Sequence, residues 1–293
     1  MWHKNVRTVC SYLLIITALA CAKEKVQVSE KENTYYKIPQ GNAPYDQQVV
    51  DWYNKYGTYV LYQYPKSEYE YAIIGYYGLN MEHPADKTAL PAVMNFIQQY
   101  WFDFYPEDFL KKYLPRKILL GGILQYDAGN NTKPDTLANP IAGFNFIMLP
   151  GLDANFPKQL EKERRIWKAS LNSLFFSTLF YGTTEEIKAK LPLPEAFFQV
   201  SKYQQLKASV NNLYDNGYLA PDPSDPTKIP SPKNDLKNYL YIMCRYSEEE
   251  LEKNYFSEKF DKKGLIRKKH QLLRKYIKDN WNVDLQNIGN KQN

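Results

Sequence analysis

Residues 160–182, LEKERRIWKASLNSLFFSTLFYG, constrain the fold more than any other stretch of this chain. Charged residues fill the first turns, apolar residues recur at Leu160, Trp167, Leu171, Leu174 and Phe175, and Gly182 closes the run. That spacing predicts one long, largely buried helix around which the rest must pack. Ser170, Ser173 and Ser177 form a stripe of small residues along it, with Asn172 beside them. Such a stripe lets a neighbouring element approach closely. The helix carries no histidine, and the whole chain has only His3, His83 and His270. With no pair of cysteines to substitute, a zinc site of ordinary composition cannot be assembled from these residues, and no metal ligand, catalytic residue or cofactor is expected.

The N-terminus supplies an address. Residues 1–21, MWHKNVRTVCSYLLIITALAC, have a basic start at Lys4 and Arg7, an apolar run and small residues before Cys21. This pattern predicts a secretory leader over residues 1–20, too short for a stable membrane span. Ala18-Leu19-Ala20-Cys21 is similar to the lipobox of bacterial lipoproteins, which implies cleavage before Cys21 and lipidation of its sulfur. Several acyl chains on one residue make a lasting anchor, since each buried methylene contributes ~0.8 kcal/mol. Cys244, inside the apolar run YLYIMC, is then the one thiol of the mature chain and is expected to be a buried, inert residue. Residues 22–44 are polar and end in Pro and Gly, so 21–44 are expected to be a lipidated terminus and tether.

Residues 45–293 are long for one core but suit a single domain, with no repeat or break in composition. Charge excludes one class of function: the leader removes two cations from a formal +6, and the mild excess left is spread along the chain, unlike a nucleic-acid footprint. Twenty-six Tyr and 14 Phe supply a large core and could also furnish a surface that packs on sugars or peptides.

The domain opens with a helix at 45–57, closed by Gly57, followed by a strand at 58–64 and another candidate at 69–79. His83 falls in a loop before Pro84. Helices follow at 90–105 and 107–113, a buried strand at 118–120, a bend at Gly121-Gly122 and a strand at 142–149. The glycine pair lacks the spacing of a phosphate loop. After the central helix, a proline-rich loop at 222–235 is expected to be stiff, exposed and suited to contact with a neighbouring subunit. It leads into a helix that Asn234 or Asp235 would open as a cap. Its aspartates lack EF-hand spacing. Ser247 and Glu250 form a capping box for a further helix, and His270, among the charges of the last long helix, is expected to be solvated.

The order of these pieces resembles a known family. The TYVLYQY strand, LPAVMNFIQQYWFDFYPEDFLKKYLPRKILLGG, the AGFNFIML strand, the long helix, KNDLKNYLYIM and the closing RKKHQLLRKYIKDNWNVDLQNI are similar to zinc metallohydrolase lipoproteins encoded beside SusC/SusD nutrient-import genes in Bacteroidetes. The resemblance implies an α+β, zincin-like fold, a mixed sheet packed against helices including the long central one. It also implies H-E-x-x-H on that helix. Here the first metal-binding His would fall on Asn172 or Ser173, the Glu on Ser173 or Leu174, and the second His on Phe176 or Ser177. None of these can ligate zinc or take a proton from water. In the family's second acidic helix, Asn234 and Asn238 stand where Glu is usual and only Asp235 keeps its charge.

The resemblance therefore implies a degenerate member with a vestigial cleft formed by Ser170, Asn172, Ser173, Phe176, Ser177, Asn234, Asp235 and Asn238. The expected function is that of a non-catalytic, lipid-anchored protein of the outer membrane, facing the exterior. Its expected partners are a SusC-like TonB-dependent transporter and a SusD-like lipoprotein, with an oligopeptide or glycan as possible ligand and no nucleic acid. Two alternatives stand beside it: a hydrolase in which His83 approaches a serine of the central helix, and a stand-alone glycan-binding lipoprotein. Ligand binding of this kind calls for an exposed, aromatic-rich surface.

Overall fold

Three strands of almost wholly apolar sequence set the architecture of the computed structural model, which describes residues 36–70, 79–81, 83–126, 135–182, 190–203 and 210–292. Strands β1 (Tyr59–Leu61), β3 (Lys117–Leu120) and β7 (Phe146–Leu149) are buried at every position, as strands covered on both faces must be. They run parallel, in the order β1-β3-β7, and the antiparallel edge strand β6 (Ile141–Ala142) completes the sheet. A second, antiparallel sheet is formed by β2 (Asn80–Met81), β4 (Leu124–Tyr126) and β5 (Asp135–Leu137) in the order β2-β4-β5.

Parallel neighbours need a crossover, and helices α1 (Pro44–Tyr56), α2 (Leu90–Tyr100) and α3 (Glu107–Tyr113) surround the one from β1 to β3. Gly57 adopts φ 73° at the end of α1, as its position after the last apolar residue predicts. The helix expected over 90–105 stops at Tyr100. Trp101 leaves helical geometry, and Phe102–Phe104 form a 3-10 turn. The reason lies in packing: Trp101 and Phe102 are both buried, and the break lets adjacent rings meet Phe175 on one side and Trp52 on the other. The strand expected over 142–149 is a hairpin instead, closed by Gly143-Phe144-Asn145, with the Gly143 N–H donating to Phe146 O at 3.0 Å.

The central helix, α4, spans Phe156–Tyr181, starting a turn earlier than the apolar pattern indicates because Pro157 occupies its first turn. After it come the short helices α5 (Glu195–Phe198) and α6 (Val210–Asp215), then α7 (Pro232–Arg245), α8 (Glu248–Asn254), α9 (Leu265–Trp281) and α10 (Leu285–Asn290). Helix α7 packs along α4, and α10 crosses α7. The cap of α7 is Ser231, whose hydroxyl accepts from the Asn234 N–H; neither Asn234 nor Asp235 caps it, because both lie inside the first turn. Ser247 and Glu250 form the expected capping box on α8.

One compact unit runs from Ile38 to Asn293 and includes 38–44, which the sequence reads as the end of a tether. Gln40 explains that inclusion: its side-chain oxygen accepts from the N–H groups of Tyr62 (2.8 Å) and Gln63 (3.2 Å). The leader, Cys21 and residues 71–78 of the second candidate strand lie outside the described residues. Among the described residues no helix is long and apolar enough to cross a membrane.

Two buried charges are accommodated locally. Lys117, in the middle strand, pairs with Glu68 and lies 5.7 Å from the Phe146 ring centroid. Lys168, on α4, donates to the carbonyls of Ile288 and Lys291, which lack partners at the end of α10. Cys244 is fully buried, and burial pushes its thiol up to about 12.

At Gly122 the bend after β3 leaves no room for a side chain. A Cβ there would sit 2.1 Å from His83 O and 2.6 Å from Pro84 O, both backbone atoms. Gly122→Ala is therefore expected to cost about 1–3 kcal/mol, measured as a lower urea midpoint at unchanged m-value.

Candidate functional site

The eight residues expected to line a cleft divide into three groups once placed. Asn172 and Phe176 face the aromatic core. The Asn172 carbonyl accepts from Tyr105 OH at 2.7 Å, and its amide donates to Tyr100 O and Lys168 O, each at 2.8 Å. Tyr100 is the last residue of α2, so Asn172 satisfies one of the orphan carbonyls of that helix end. Phe176 is fully buried, stacked on Phe109 and Tyr105 at centroid distances of 5.7 and 6.0 Å. These two positions are pins between α4, α2 and α3, not the wall of an open cleft.

Ser170, Ser173 and Ser177 lie on another face of α4, in line with Tyr181 one turn further on. Ser170 and Ser173 are half-buried, Ser177 is buried, and the Ser173 hydroxyl turns back to Ser170 O at 3.3 Å. Burial, and then the Asp235 charge at the start of α7, hold the Tyr181 phenol above its usual range. Tyr181 and Asp235 thus belong to one neighbourhood.

The third group sits on α7 and is already engaged. Asn234 donates from its amide to an Asp222 oxygen at 3.2 Å, tying the proline-rich loop to the helix. Bonds from Ser224, Asn234 and Ser231 hold the Asp222 carboxyl at about 2. A glutamate at 234 would set two carboxylates against each other, so the amide fits this loop better than an acid. Asn238, one turn along, is half-buried.

Asp235 is wholly buried and forms an ion pair with Lys269 of α9 while accepting from Tyr203 OH at 2.6 Å. The Lys269 ammonium lies 3.1 Å from both Ser201 Oγ and Gly217 O. Aromatic rings box it in, with centroids at 4.4 Å (Phe197), 4.9 Å (Tyr239) and 5.1 Å (Tyr218). Burial pushes the Asp235 carboxyl up, against the pull of Lys269, and pushes the Lys269 ammonium down, against Asp235. Oxygen acceptors and ring faces around the cation favour the charged pair. Two polar atoms of this neighbourhood, Asp235 Oδ1 and Tyr181 OH, are buried without a hydrogen-bond partner.

A zinc ion does not fit these residues. In one register the ligand pair would be Asn172 and Phe176, an amide with its bonds filled and a ring in the core. In the other it would be Ser173 and Ser177, neutral hydroxyls that make poor zinc ligands. The buried carboxylate of α7, Asp235, is paired with an internal ammonium. Among the described residues no group of three or more His, Cys, Asp or Glu is placed to hold a metal ion.

Neither histidine serves the serine stripe. The loop of His83 packs at the start of α4, where the Asp86 N–H donates to Leu152 O at 2.8 Å. Ser173 and Ser177 lie some 17 to 21 residues along the helix, about 25–30 Å away at ~1.5 Å per residue. His270, expected to be solvated, is 3% exposed, with Nε2 3.0 Å from Gln286 Oε1 and its ring against Phe256. It falls on the α9 stripe of Ile266, Leu273 and Ile277, so helical position outweighs its charged neighbours. Burial lowers its pKa. As pH falls below the unfolded value of ~6.5, the unfolded chain takes up this proton first, so His270's contribution is full above that value and declines below it. Denaturant titrations between pH 7.5 and 5.5 are expected to show this loss, with a flatter profile in His270→Gln.

The sequence reading missed Lys269 and its box entirely. The available signal was the same stripe, since Lys269 sits three residues after Ile266 and four before Leu273. Among the described residues the exposed large apolar side chains are Phe144, Ile166 and Leu193.

A mixed sheet packed against helices, with a long central helix carrying the site face, defines a metallopeptidase-like fold. A solved structure of similar architecture, from Bacteroides caccae ATCC 43185, has a TM-score of 0.51 and 15% identity over 84% of this chain and 88% of that one. Its description is that of a zinc-binding metallo-peptidase. Residues 44–286 match the model of the family described as "Putative zinc-binding metallo-peptidase", and the chain belongs to that family. No curated protein matches it.

Proposed function

We propose that this chain is a non-catalytic member of its family: an outer-membrane lipoprotein anchored through Cys21, facing the exterior, that serves a SusC/SusD-type importer as an accessory subunit. The observation that carries the loss of catalysis is the engagement of the residues at the metal positions. Asn172 bonds the end of α2, Asn234 holds the proline-rich loop, and Asp235 is paired with Lys269. Each has a structural role that zinc ligation would disrupt. The lipobox-like ALAC and the charged Lys23-Glu24-Lys25 after it support the anchor and its address. The stiff loop at 222–231, folded by Asp222 and Asp225 onto Ser224 and Thr227, is a preorganised surface for a neighbouring subunit.

Within the importer the protein binds or guides an oligopeptide or glycan, or braces the complex. The hydrolase alternative loses its base, because His83 lies at the far end of the central helix. The test is a mild-detergent pull-down of the tagged protein from its native membrane. Co-purification of a TonB-dependent channel and a SusD-like lipoprotein in comparable amount is expected; recovery of the chain alone would refute the accessory role. Cys21→Ser is expected to abolish palmitate labelling and release the protein from the membrane fraction.

A further inference from the structure

We propose that the cavity beneath the β6–β7 hairpin is a binding site for a small aromatic carboxylate. The cavity measures about 240 Å³ and lies between the hairpin turn, the chain entering β3 and the last turns of α4. Its walls include Phe146, Phe175 and Leu179, all buried in the core, so its floor is rigid and apolar. Phe144, at the hairpin tip, also lines it and is 45% exposed, the most exposed large apolar side chain among the described residues. The hairpin that the sequence pattern hides is what creates this feature.

Charge selects the ligand. Among the described residues, Arg116 and Lys190 line the cavity and no acidic side chain does. Lys190 is fixed at its base, because its N–H and that of Leu191 both donate to Leu179 O, at 2.8 and 3.0 Å. Burial lowers the pKa of the Lys190 ammonium. A bound carboxylate would supply a counter-charge through charge-assisted hydrogen bonds while its ring meets Phe146 and Phe175. Drug-sized ligands occupy pockets of roughly 300–1,000 Å³, so this smaller space takes a single ring with a short acidic arm. The site is independent of the lost zinc position and of any importer.

The chemistry could be offered by a free aryl acid or by the carboxyl end of a peptide. Calorimetry on the full-length chain in lipid nanodiscs, where no detergent competes, distinguishes them using 3-phenylpropionate and N-acetyl-L-phenylalanine, with 3-phenylpropanamide as the neutral control. Saturable binding of at least one acid is expected, about fivefold or more tighter than the amide. Lys190→Met should remove that preference and leave amide affinity unchanged; Phe144→Ser should weaken acid and amide together. Tighter 3-phenylpropionate assigns a free acid, and tighter N-acetyl-L-phenylalanine a peptide end. Absence of binding by both acids, equal affinity for acid and amide, or an acid preference that survives Lys190→Met would overturn the proposal.

Discussion

Lys269→Met is expected to destabilise the protein by about 3–5 kcal/mol, because it strands the buried Asp235 carboxylate without its ion-pair partner. The side chains of both partners are fully buried. The carboxylate would keep Tyr203 OH as a donor and would protonate, while Ser201 Oγ and Gly217 O would lose the ammonium. Removing both charges is a different experiment. Asp235→Leu with Lys269→Met leaves an apolar contact inside an aromatic box, and replacing a buried pair by packed apolar groups is often neutral or stabilising. The double variant is therefore expected to recover most of the loss. Urea denaturation of the two single variants and the double one gives the coupling directly. Additive losses would show that Lys269 and Asp235 do not act as a pair.

Asn172→Ala is the second large effect, about 3–5 kcal/mol. Two buried groups, Tyr105 OH and Tyr100 O, lose their partner at ~1–3 kcal/mol each, and the deleted amide leaves a cavity. The Lys168 carbonyl, by contrast, lies inside α4, where it accepts the backbone N–H four residues on, and loses little. Asn172→His is expected to be no better, because imidazole cannot donate to Tyr100 O and accept from Tyr105 OH with the geometry of the amide. Thermal denaturation ranks the variants, and full stability in either would show that Asn172 is not a pin.

The legible part of this fold was its apolar patterning. β1, β3, α1, α3 and α7 follow from runs whose spacing has one structural meaning, with Gly57 and Ser247 marking ends through local geometry alone. Three departures have separate physical origins. Where Trp101, Phe102, Phe104 and Tyr105 crowd together, a helix cannot turn all of them inward, and packing breaks it. In 142–149, the apolar residues on both sides of Gly143 conceal a turn. On α9, Lys269 and His270 look solvated beside their charged neighbours, yet the positions of Ile266, Leu273 and Ile277 carry both into the interior.

The residues of the candidate site were legible in the sequence, and their arrangement was not. Sequence places Asn172, Ser173, Phe176 and Ser177 on one helix, but only the packing of α4 separates the pair that faces the core from the pair on another face. Likewise Asp235 reads as the surviving acid of a cleft, whereas its charge is spent on a lysine 34 residues away. Long-range pairing of that kind leaves no local trace. It also explains how Asn can stand at 234: the residue answers to Asp222 in the loop before it.

Metal content tests the central claim, that this chain keeps the family fold and has lost its zinc site. The purified full-length protein would be incubated with excess zinc, dialysed against metal-free buffer and assayed by inductively coupled plasma mass spectrometry, beside an H-E-x-x-H-containing member of the family. Zinc at background in this chain and in stoichiometric amount in the control is the result expected. Stoichiometric zinc retained by this chain, and lost on Asp235→Asn, would contradict it.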